Sequence, residues 1–579
     1  MKSTFATLLS FVLLTVHVAN VSATVYQTFD ALPQNKQFDY IVVGGGIGGS
    51  VVASRLSENL FTSVLLIEAG PDDENEEDLA IPGNYPNSIP RRFHWNFTTT
   101  PQEGLGGRSI DYDRGYVLGG STSVNGMVYT RGAAEDYDRW AKVTGDLGWT
   151  WALLWPYTIK HEKFTGATGG ERSIAGQYNP LSHGYFGKSK VGLPWSGPTE
   201  FDNRAMAAAK DPKSEFKFNL DLNSGNPLGL TWTQSMSGDG ERSSASKAYL
   251  TPDVRRRPNL HVVVNTQVTR VLATGQASKK DIRTVEVGTP NGPRKTVTAM
   301  QEVILSAGTI GTPQILLNSG IGDSAELNAV GVPVVHQLKD VGKNLSDHIS
   351  TDRPDPAPVD RDAALAQWRA SRTGPLTEAV GHTVMWSRLD KNSDAIKAHG
   401  DPSSGANAPH IELFLLSNIG NQMYGGAAVL MTPQSRGTVK IASSNPFDKP
   451  LIDLGFLTHP FDILALKDGI RTMKRFFAHS AWANYTATNV SPDPDAMGEG
   501  EWEGFTRSVG GTTLHAVGTC SMSKKGASNG VVDPNLKVKG LKGLRIVDGS
   551  VIPFVPTGHS MAAIYILSER ASDLIKWRL

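Results

Sequence analysis

The sequence predicts a mixed α/β protein, and two observations indicate this class. The first is a strand, a glycine-rich turn, a helix and a second strand in succession over residues 38–68. The second is a short strand pattern at 544–550 followed by a helical pattern at 562–574, far from the first unit in the chain. A chain of 579 residues has room for three or four units of about 150 residues each.

The first element is a run of aromatic and β-branched residues, 38–43, followed directly by the glycine-rich turn at 44–49. Residues 50–56 have helical spacing, and 63–67 form a second apolar strand that Glu68 closes. Strand, tight glycine turn, helix, strand and acid in this order are typical of a Rossmann-like dinucleotide-binding unit.

The three glycines and the closing acid of this unit each have a physical task. Gly44 permits the tight turn, Gly46 lets the backbone approach a pyrophosphate, and Gly49 lets helix and strand pack closely. Glu68 stands 24 residues after Gly44, where it can accept a hydrogen bond from a ribose 2′-hydroxyl. The motif alone leaves both NAD and FAD open as the dinucleotide.

The long middle of the chain favours FAD. Stretches at 261–271 and 427–441 are rich in β-forming residues, and 352–362 is a polar, proline-rich linker. A nucleotide domain built from both chain ends around such an insertion is typical of FAD enzymes, and the strand at 544–550 supplies the second end.

Composition excludes several classes of partner. The 56 basic and 56 acidic residues give no net charge, which argues against nucleic acid or an anionic membrane as the main partner. The single cysteine, Cys520, excludes an internal disulfide and a cysteine-based zinc site. We expect a monomer without a structural metal.

The N-terminus has the pattern of an export signal. Lys2 precedes an apolar stretch at 5–18, and small residues end at Ala23, where we expect cleavage. The apolar stretch is shorter than the 18 or more residues that a membrane anchor needs. We therefore expect a secreted protein, and export would make glycosylation possible at the sequons of Asn96, Asn344, Asn484 and Asn489.

Four separated stretches resemble patterns of the glucose–methanol–choline (GMC) oxidoreductases: 114–132, 308–322, 341–348, and the pair of loops at 515–519 and 548–559. Within that family the chain is most similar to the secreted branch of aryl-alcohol oxidases and pyranose dehydrogenases. The stretches that carry this impression are 95–100, 107–112, 242–246, 443–450 and 533–540.

The resemblance implies two domains: a Rossmann-like FAD-binding domain, and a substrate domain built on a large antiparallel sheet backed by helices. We expect the FAD-binding domain to comprise 38–110, 220–345 and 531–579. The substrate domain and the loops that cover the flavin should then comprise mainly 111–219 and 346–530.

The resemblance also assigns the chemistry to two histidines and a glutamate. A neutral imidazole suits removal of a hydroxyl proton because its ordinary pKa is near the working pH. By resemblance His515 is the general base, and His559 binds the substrate oxygen and stabilises developing alkoxide charge. Glu412 matches the carboxylate expected to hold the base imidazole in orientation.

The resemblance places FAD as well. Glu68 should bind the ribose, and the remaining predicted cofactor contacts are Gly119, Gly120, Asn125, Val268, Asp548 and Gly549. Pyranose dehydrogenases of this branch tether FAD through a histidine at the position of Val124. Valine has no nucleophilic atom, so we expect non-covalent FAD.

Departures from the family pattern affect the substrate. Leu514 stands where an aromatic residue is expected before the base, and Phe97 replaces a frequent tyrosine near the entrance. The stretch 418–426, a longer gating loop in aryl-alcohol oxidases, is short and glycine-rich. These changes weaken the case for a small benzylic alcohol and favour a bulkier one.

The leading functional hypothesis is FAD-dependent oxidation of an aromatic or allylic primary alcohol to the aldehyde, by hydride transfer to flavin N5. The alternatives are a quinone-dependent pyranose dehydrogenase, a pathway-specific dehydrogenase of secondary-metabolite biosynthesis, and a non-redox lyase or cyclase of the same fold. The sequence leaves open whether oxygen or a quinone accepts the electrons.

Overall fold

A computed structural model of the chain describes residues 25–33, 36–170, 172–275, 280–351, 360–378, 381–419, 423–485 and 493–577. The predicted leader at 1–23, the sequon of Asn489 and most of the predicted linker at 352–362 lie outside the described residues. Within the described part of the chain, no helix combines the length and apolar character needed to cross a bilayer.

The first sheet has eight strands, and its central strands are parallel and buried on both faces. Val42 pairs with Leu66 on one side and with Ile304 on the other. In order the strands are Val25–Tyr26, Leu260–Val263, Val64–Ile67, Phe38–Val43, Lys295–Leu305, Ile282–Gly288 and Gln267–Ala273; Leu544–Ile546 also pairs with Lys295–Leu305. The pairing of Leu544–Ile546 confirms that the C-terminal end of the chain completes the N-terminal unit.

Helices cover the buried strands, as a parallel sheet requires. The first helix, Ile47–Leu56, packs against the last, Ser560–Lys576, so that the two chain ends share one core. The other helices are Glu77–Ala80, Ala134–Thr144, Trp151–His161, Glu200–Lys210, Ala245–Tyr249, Pro252–Arg255, Gly308–Asn318, Ser324–Ala329, Arg361–Ser371, Asp394–His399, Pro460–Phe477 and Glu499–Val509.

The second sheet is antiparallel, as the resemblance implied. Its six strands are Gly511–Thr512, Ile349–Ser350, Met423–Leu430, Ile411–Ile419, Thr383–Ser387 and Gly229–Trp232. The short two-stranded pairs are Glu162–Ala167 with Ser189–Leu193, Ser237–Gly238 with Glu241–Arg242, Ile321–Gly322 with His336–Gln337, and Thr438–Lys440 with Leu451–Asp453.

One boundary prediction is wrong. The range 220–345 was assigned to the nucleotide domain, but Gly229–Trp232 pairs with Thr383–Ser387 in the second sheet. The physical reason is burial: Leu230 and Trp232 pack in the core of the second sheet and not in that of the first. A four-residue apolar strand carries no local signal of which sheet it joins.

Glu412, Leu413 and Phe414 of Ile411–Ile419 point alternately to the two faces of the second sheet, because side chains alternate along a strand. Leu413 packs into the core that also contains the buried face of the helix Pro460–Phe477. Glu412 and Phe414 therefore face the opposite side, towards the last helix and its preceding residue, His559.

Candidate active site

A cavity of about 480 Å³ lies between the two sheets. The carboxyl ends of two parallel strands reach it through Val43 and Ile67, and the second sheet contributes Phe414. Ligands of open α/β sheets bind at such strand ends. Both predicted catalytic histidines, His515 and His559, line the same cavity.

Three helices begin at this cavity. In Ile47–Leu56, Gly308–Asn318 and Ser560–Lys576 the side chain of the N-cap residue makes no capping hydrogen bond, and residues at the start of each helix line the cavity. The first N–H of Gly308–Asn318 donates to Asp548, so it is the N-termini of the other two helices that remain available to a ligand. The first backbone N–H groups of a helix lack partners within the helix and carry partial positive charge. The arrangement therefore suits an anionic ligand such as a pyrophosphate.

The glycine turn is shaped by close backbone contacts. A Cβ on Gly49 would lie 1.8 Å from the carbonyl oxygen of Gly44, so only glycine permits this packing. Gly46 has open space around it apart from Gly120, whose own Cβ would lie 2.8 Å from the Cα of Gly46. Gly46 and Gly120 both line the cavity, so two loops present bare backbone to a ligand.

Glu68 is positioned by backbone amides. Its Oε2 accepts a hydrogen bond from Gly45 at 2.6 Å and its Oε1 accepts one from Gly70 at 2.8 Å. Burial raises the pKa of this carboxyl to about 7. Glu68 lines the cavity, so its remaining lone pairs are available to the ribose hydroxyl that the motif predicts.

The other predicted cofactor residues line the same cavity, except Gly119, which precedes the cavity-lining Gly120 and does not itself line the cavity. Gly119 has a φ of 92° and packs on Ser123 and Ser246, where a side chain does not fit. The residues that line the cavity are Asn125, Val268, Asp548 and Gly549.

Asp548 was predicted only as a cofactor contact, but it also has a structural role. Its Oδ2 accepts from Gly308 N at 2.9 Å and from Thr312 Oγ1 at 2.6 Å, while Oδ1 accepts from Ser550 N at 2.9 Å. Burial raises the pKa of this carboxyl. Asp548 thereby ties the start of Gly308–Asn318 to the C-terminal loop.

These residues fit FAD. Besides the N-termini of Ile47–Leu56 and Ser560–Lys576 and the glycine backbone, the cavity has a polar group to offer at Ser306. Its Oγ is buried and has no hydrogen-bond partner among the described residues. Such an orphaned hydroxyl is expected where a polar ligand supplies the partner. Val124 also lines the cavity, and its position was predicted to offer no tether.

The two histidines lie close together, as predicted. Their ring centroids are 4.2 Å apart with an angle of 36° between the planes. His515 is held through its backbone N–H, which donates to Asp347 Oδ1 at 2.7 Å. The backbone N–H of His559 donates to Thr130 Oγ1 at 2.6 Å. Both imidazoles therefore lie side by side in the wall of the cavity.

The predicted role of Glu412 needs correction. Glu412 was expected to hold the imidazole of His515, but its Oε1 and Oε2 lie 3.0 and 3.1 Å from Nε2 of His559. The reason is geometric: the strand Ile411–Ile419 presents Glu412 to the residue that precedes the last helix. Since a carboxylate only accepts, Nε2 of His559 carries a hydrogen.

The wall beside the histidines is aromatic and apolar. Trp95 and Phe97 stack with centroids 5.5 Å apart, and the ring of Phe414 lies 5.8 Å from that of His559. Leu514 completes this wall with a left-handed backbone, at a φ of 64°. Of the stretch predicted to be a shortened gate, 418–426, residues 420–422 lie outside the described residues. The rest of the stretch belongs to the paired strands Ile411–Ile419 and Met423–Leu430.

Sequence reasoning missed two neighbours of the predicted base. Thr513 Oγ1 lies 2.9 Å from Nδ1 of His515, and Nδ1 of the fully buried His348 lies 3.1 Å from the same atom. His348 ends the stretch 341–348 that carried part of the family resemblance, which was the available signal. Thr513 had no signal beyond its position two residues before His515.

Three of the four predicted glycosylation sites fall in the described residues. Nδ2 of Asn96 donates to the carbonyl of His94 at 2.9 Å, and Nδ2 of Asn344 donates to Ser521 Oγ at 3.0 Å and to Pro553 O at 3.1 Å. A glycan on that nitrogen would displace these bonds. Asn484 is exposed and is the best placed of the three.

Comparison with known proteins agrees with this geometry. Two sequence models of the GMC oxidoreductase family match residues 38–350 and 433–568. The chain is 41% identical to a pyranose dehydrogenase of Agaricus campestris, with 98% of each chain covered.

Solved structures give the same result. An FAD-dependent oxidoreductase of Chaetomium thermophilum superposes with a TM-score of 0.83 at 27% identity, covering 94% of this chain and 99% of the other. A fungal aryl-alcohol oxidase superposes with a TM-score of 0.79 at 25% identity, covering 94% and 100%. The chain therefore belongs to the GMC oxidoreductase family.

Proposed function

We propose that the protein is an FAD-dependent enzyme that oxidises a primary alcohol with an aromatic or allylic body to its aldehyde. The observation that carries the proposal is the paired imidazoles of His515 and His559 in the wall of a cavity that fits FAD, beside the apolar surface of Trp95, Phe97 and Phe414. When bound, FAD supplies a two-electron acceptor for the hydride of the carbinol carbon.

The residues of the chain divide the remaining work. His515 removes the hydroxyl proton, because its neighbours at Nδ1 are the neutral groups of Thr513 and His348. His559 donates the hydrogen of Nε2 to the carboxylate of Glu412, which orients the ring. Held in this way beside His515, His559 stabilises the alkoxide that forms as the proton leaves.

A pyranose dehydrogenase is the second candidate, and one structural observation besides the 41% identity to such an enzyme supports it. Asp113 Oδ1 and Arg114 Nη2 belong to residues that line the cavity, and both atoms are buried without a hydrogen-bond partner among the described residues. The hydroxyl groups of a sugar would provide partners.

Anaerobic mixing distinguishes the two candidates. The purified holoenzyme is mixed without oxygen with cinnamyl alcohol, 4-methoxybenzyl alcohol or D-glucose, and the visible absorbance of the flavin is followed. Bleaching by the unsaturated alcohols supports the first proposal. Bleaching by glucose alone favours the second, and an unchanged flavin with all alcohols refutes both. Admitting oxygen or a quinone afterwards then identifies the electron acceptor.

We also propose that the chain is exported, cleaved near Ala23 and glycosylated at Asn484. The leader pattern and the exposure of Asn484 support this. N-terminal sequencing of the protein from the culture medium tests cleavage. The mass of the Asn484→Gln variant before and after enzymatic deglycosylation tests the glycan.

A further inference from the structure

One nitrogen of the predicted base is enclosed by two side chains of the protein. Nδ1 of His515 lies 2.9 Å from Thr513 Oγ1 and 3.1 Å from Nδ1 of His348. The rings of His348 and His515 meet edge to face at 81°, with centroids 5.3 Å apart. Which nitrogen of His515 carries the hydrogen therefore depends on what these two neighbours can donate.

Thr513 leaves its hydroxyl oxygen as an acceptor for His515. The hydroxyl has one hydrogen, and it donates this hydrogen to the backbone carbonyl of His348 at 3.2 Å. The lone pairs of Oγ1 then face Nδ1 of His515, which must supply the hydrogen of the 2.9 Å contact.

His348 completes the arrangement that Thr513 sets. The ring is fully buried, and desolvation lowers its pKa to about 3, so it is neutral and has one donor and one acceptor nitrogen. A 3.1 Å contact between two ring nitrogens needs one donor and one acceptor, and Thr513 already places the hydrogen of His515 on Nδ1. Nδ1 of His348 therefore accepts from His515, and its own hydrogen lies on Nε2, which has no hydrogen-bond partner among the described residues.

We propose that His348 and Thr513 are positioning residues that together fix His515 as the tautomer with hydrogen on Nδ1 and the lone pair on Nε2. This inference rests on the proposed function, in which His515 takes the hydroxyl proton. The opposite tautomer would offer the hydroxyl an N–H instead of a lone pair. The proton would then have no acceptor on that nitrogen.

The test compares Thr513→Val with Thr513→Ser in the holoenzyme. Valine keeps the shape without the hydroxyl, while serine keeps the hydroxyl. With an alcohol that reduces the unmodified flavin, Thr513→Val should lower the limiting rate of anaerobic reduction on the order of 10- to 100-fold, as the loss of an orienting partner does for metal-bound imidazoles. The substrate dissociation constant and the flavin spectrum should stay nearly unchanged, and serine should restore the rate.

His348 provides the second arm. His348→Gln can still present an acceptor oxygen to Nδ1 and should retain more activity than His348→Leu, which cannot. If Thr513→Val and His348→Leu both keep the full reduction rate while His515→Ala is inactive, the positioning role of Thr513 and His348 is wrong and His515 remains the proposed base. Parallel losses of rate, substrate binding and flavin in every variant, serine included, show a merely structural role and also overturn the positioning role. Full activity of His515→Ala instead refutes the proposed base.

Discussion

Single side chains give the cavity a nucleotide end and a reactive end. At the nucleotide end, Ser306 and Glu68 offer polar atoms among bare glycine backbone. At the reactive end, His515 and His559 lie against an apolar wall. Burial in a low dielectric strengthens each polar contact at both ends, so the loss of one partner is costly.

Leu514 sets the shape of the apolar wall, and a phenyl ring in its place should favour small planar alcohols. An aromatic pair contributes roughly 0.5–1.5 kcal/mol beyond its buried area, which corresponds to about two- to tenfold in binding. We expect Leu514→Phe to raise kcat/KM for 4-methoxybenzyl alcohol by that factor and to lower it for bulky alcohols.

The matched control for this change is Leu514→Met, which keeps an apolar chain of similar volume without a ring. Steady-state kinetics on the three proteins with small and bulky alcohols is the measurement. Micromolar Michaelis constants of the unmodified enzyme for small benzylic alcohols would contradict the interpretation that Leu514 leaves room for a bulkier alcohol.

Val124 is the basis for the prediction that the flavin is bound without a covalent link. Because valine offers no nucleophilic atom, we expect acid precipitation of the yellow holoenzyme to release all of the flavin into the supernatant. Absorbance of the supernatant and of the redissolved pellet measures the distribution. Colour that stays with the pellet shows a covalent link at another residue.

At the scale of elements, the loops of Gly46 and Gly120 both border the cavity, and their backbones lie close together. Gly120 has a φ of 57° and no room for a Cβ beside Gly46, whereas the exposed Gly107 has a φ of 83° and open space around it. The two glycines therefore separate backbone strain from steric contact.

Alanine at these two positions should have unequal effects. Gly107→Ala carries only the left-handed strain, about 1–2 kcal/mol, and should keep its FAD. Gly120→Ala adds the clash with Gly46, so we expect a lower melting temperature and a reduced ratio of FAD to protein. The flavin-to-protein absorbance ratio and thermal unfolding measure both. Equal FAD content in the two variants would contradict the close approach of the loops.

A second connection between elements depends on pH. Nδ1 of His382 lies 2.8 Å from Asp202 Oδ2 at the start of Glu200–Lys210, and its Nε2 lies 2.8 Å from Ser196 Oγ and 3.4 Å from Glu378. The two carboxylates raise the pKa of His382 from 6.5 to about 9 despite its burial.

A histidine whose pKa is higher in the folded state stabilises the fold fully when the pH is below its pKa in the unfolded state. This stabilisation is lost as the pH rises through its pKa in the folded state. We therefore expect the melting temperature to fall between pH 6.5 and about 9. His382 accounts for a loss of at most about 3 kcal/mol in the free energy of unfolding over this range. His382→Gln should flatten that decline without altering the flavin spectrum. Melting curves across this range measure it, and an unchanged slope in the variant would contradict the assignment.

At the scale of the whole molecule, the sequence predicts elements far better than it predicts which elements meet. The strand Phe38–Val43 and the pairing of both chain ends follow from local pattern and motif. The partner of Glu412 does not, because alternation fixes the face of a strand but not the residue opposite it. For the same reason, the sequence did not predict that Gly229–Trp232 joins the second sheet or that His348 contacts His515.

The reactive centre exists only in the assembled molecule. His515 lies in the loop after Gly511–Thr512, His559 precedes the last helix, and Glu412 comes from a strand of the second sheet. The proposed reaction thus requires the C-terminal end of the chain to pack between the two sheets.

The most direct test of the account is the rate of anaerobic flavin reduction in His515→Ala, measured with the alcohol that reduces the unmodified enzyme fastest. Removing the group that accepts the hydroxyl proton should lower this rate on the order of 10²–10⁴-fold, the usual contribution of a positioned base. The spectrum of the bound flavin should stay nearly the same. A loss of less than about tenfold, with FAD retained, would contradict the account and make His559 the next candidate for the base.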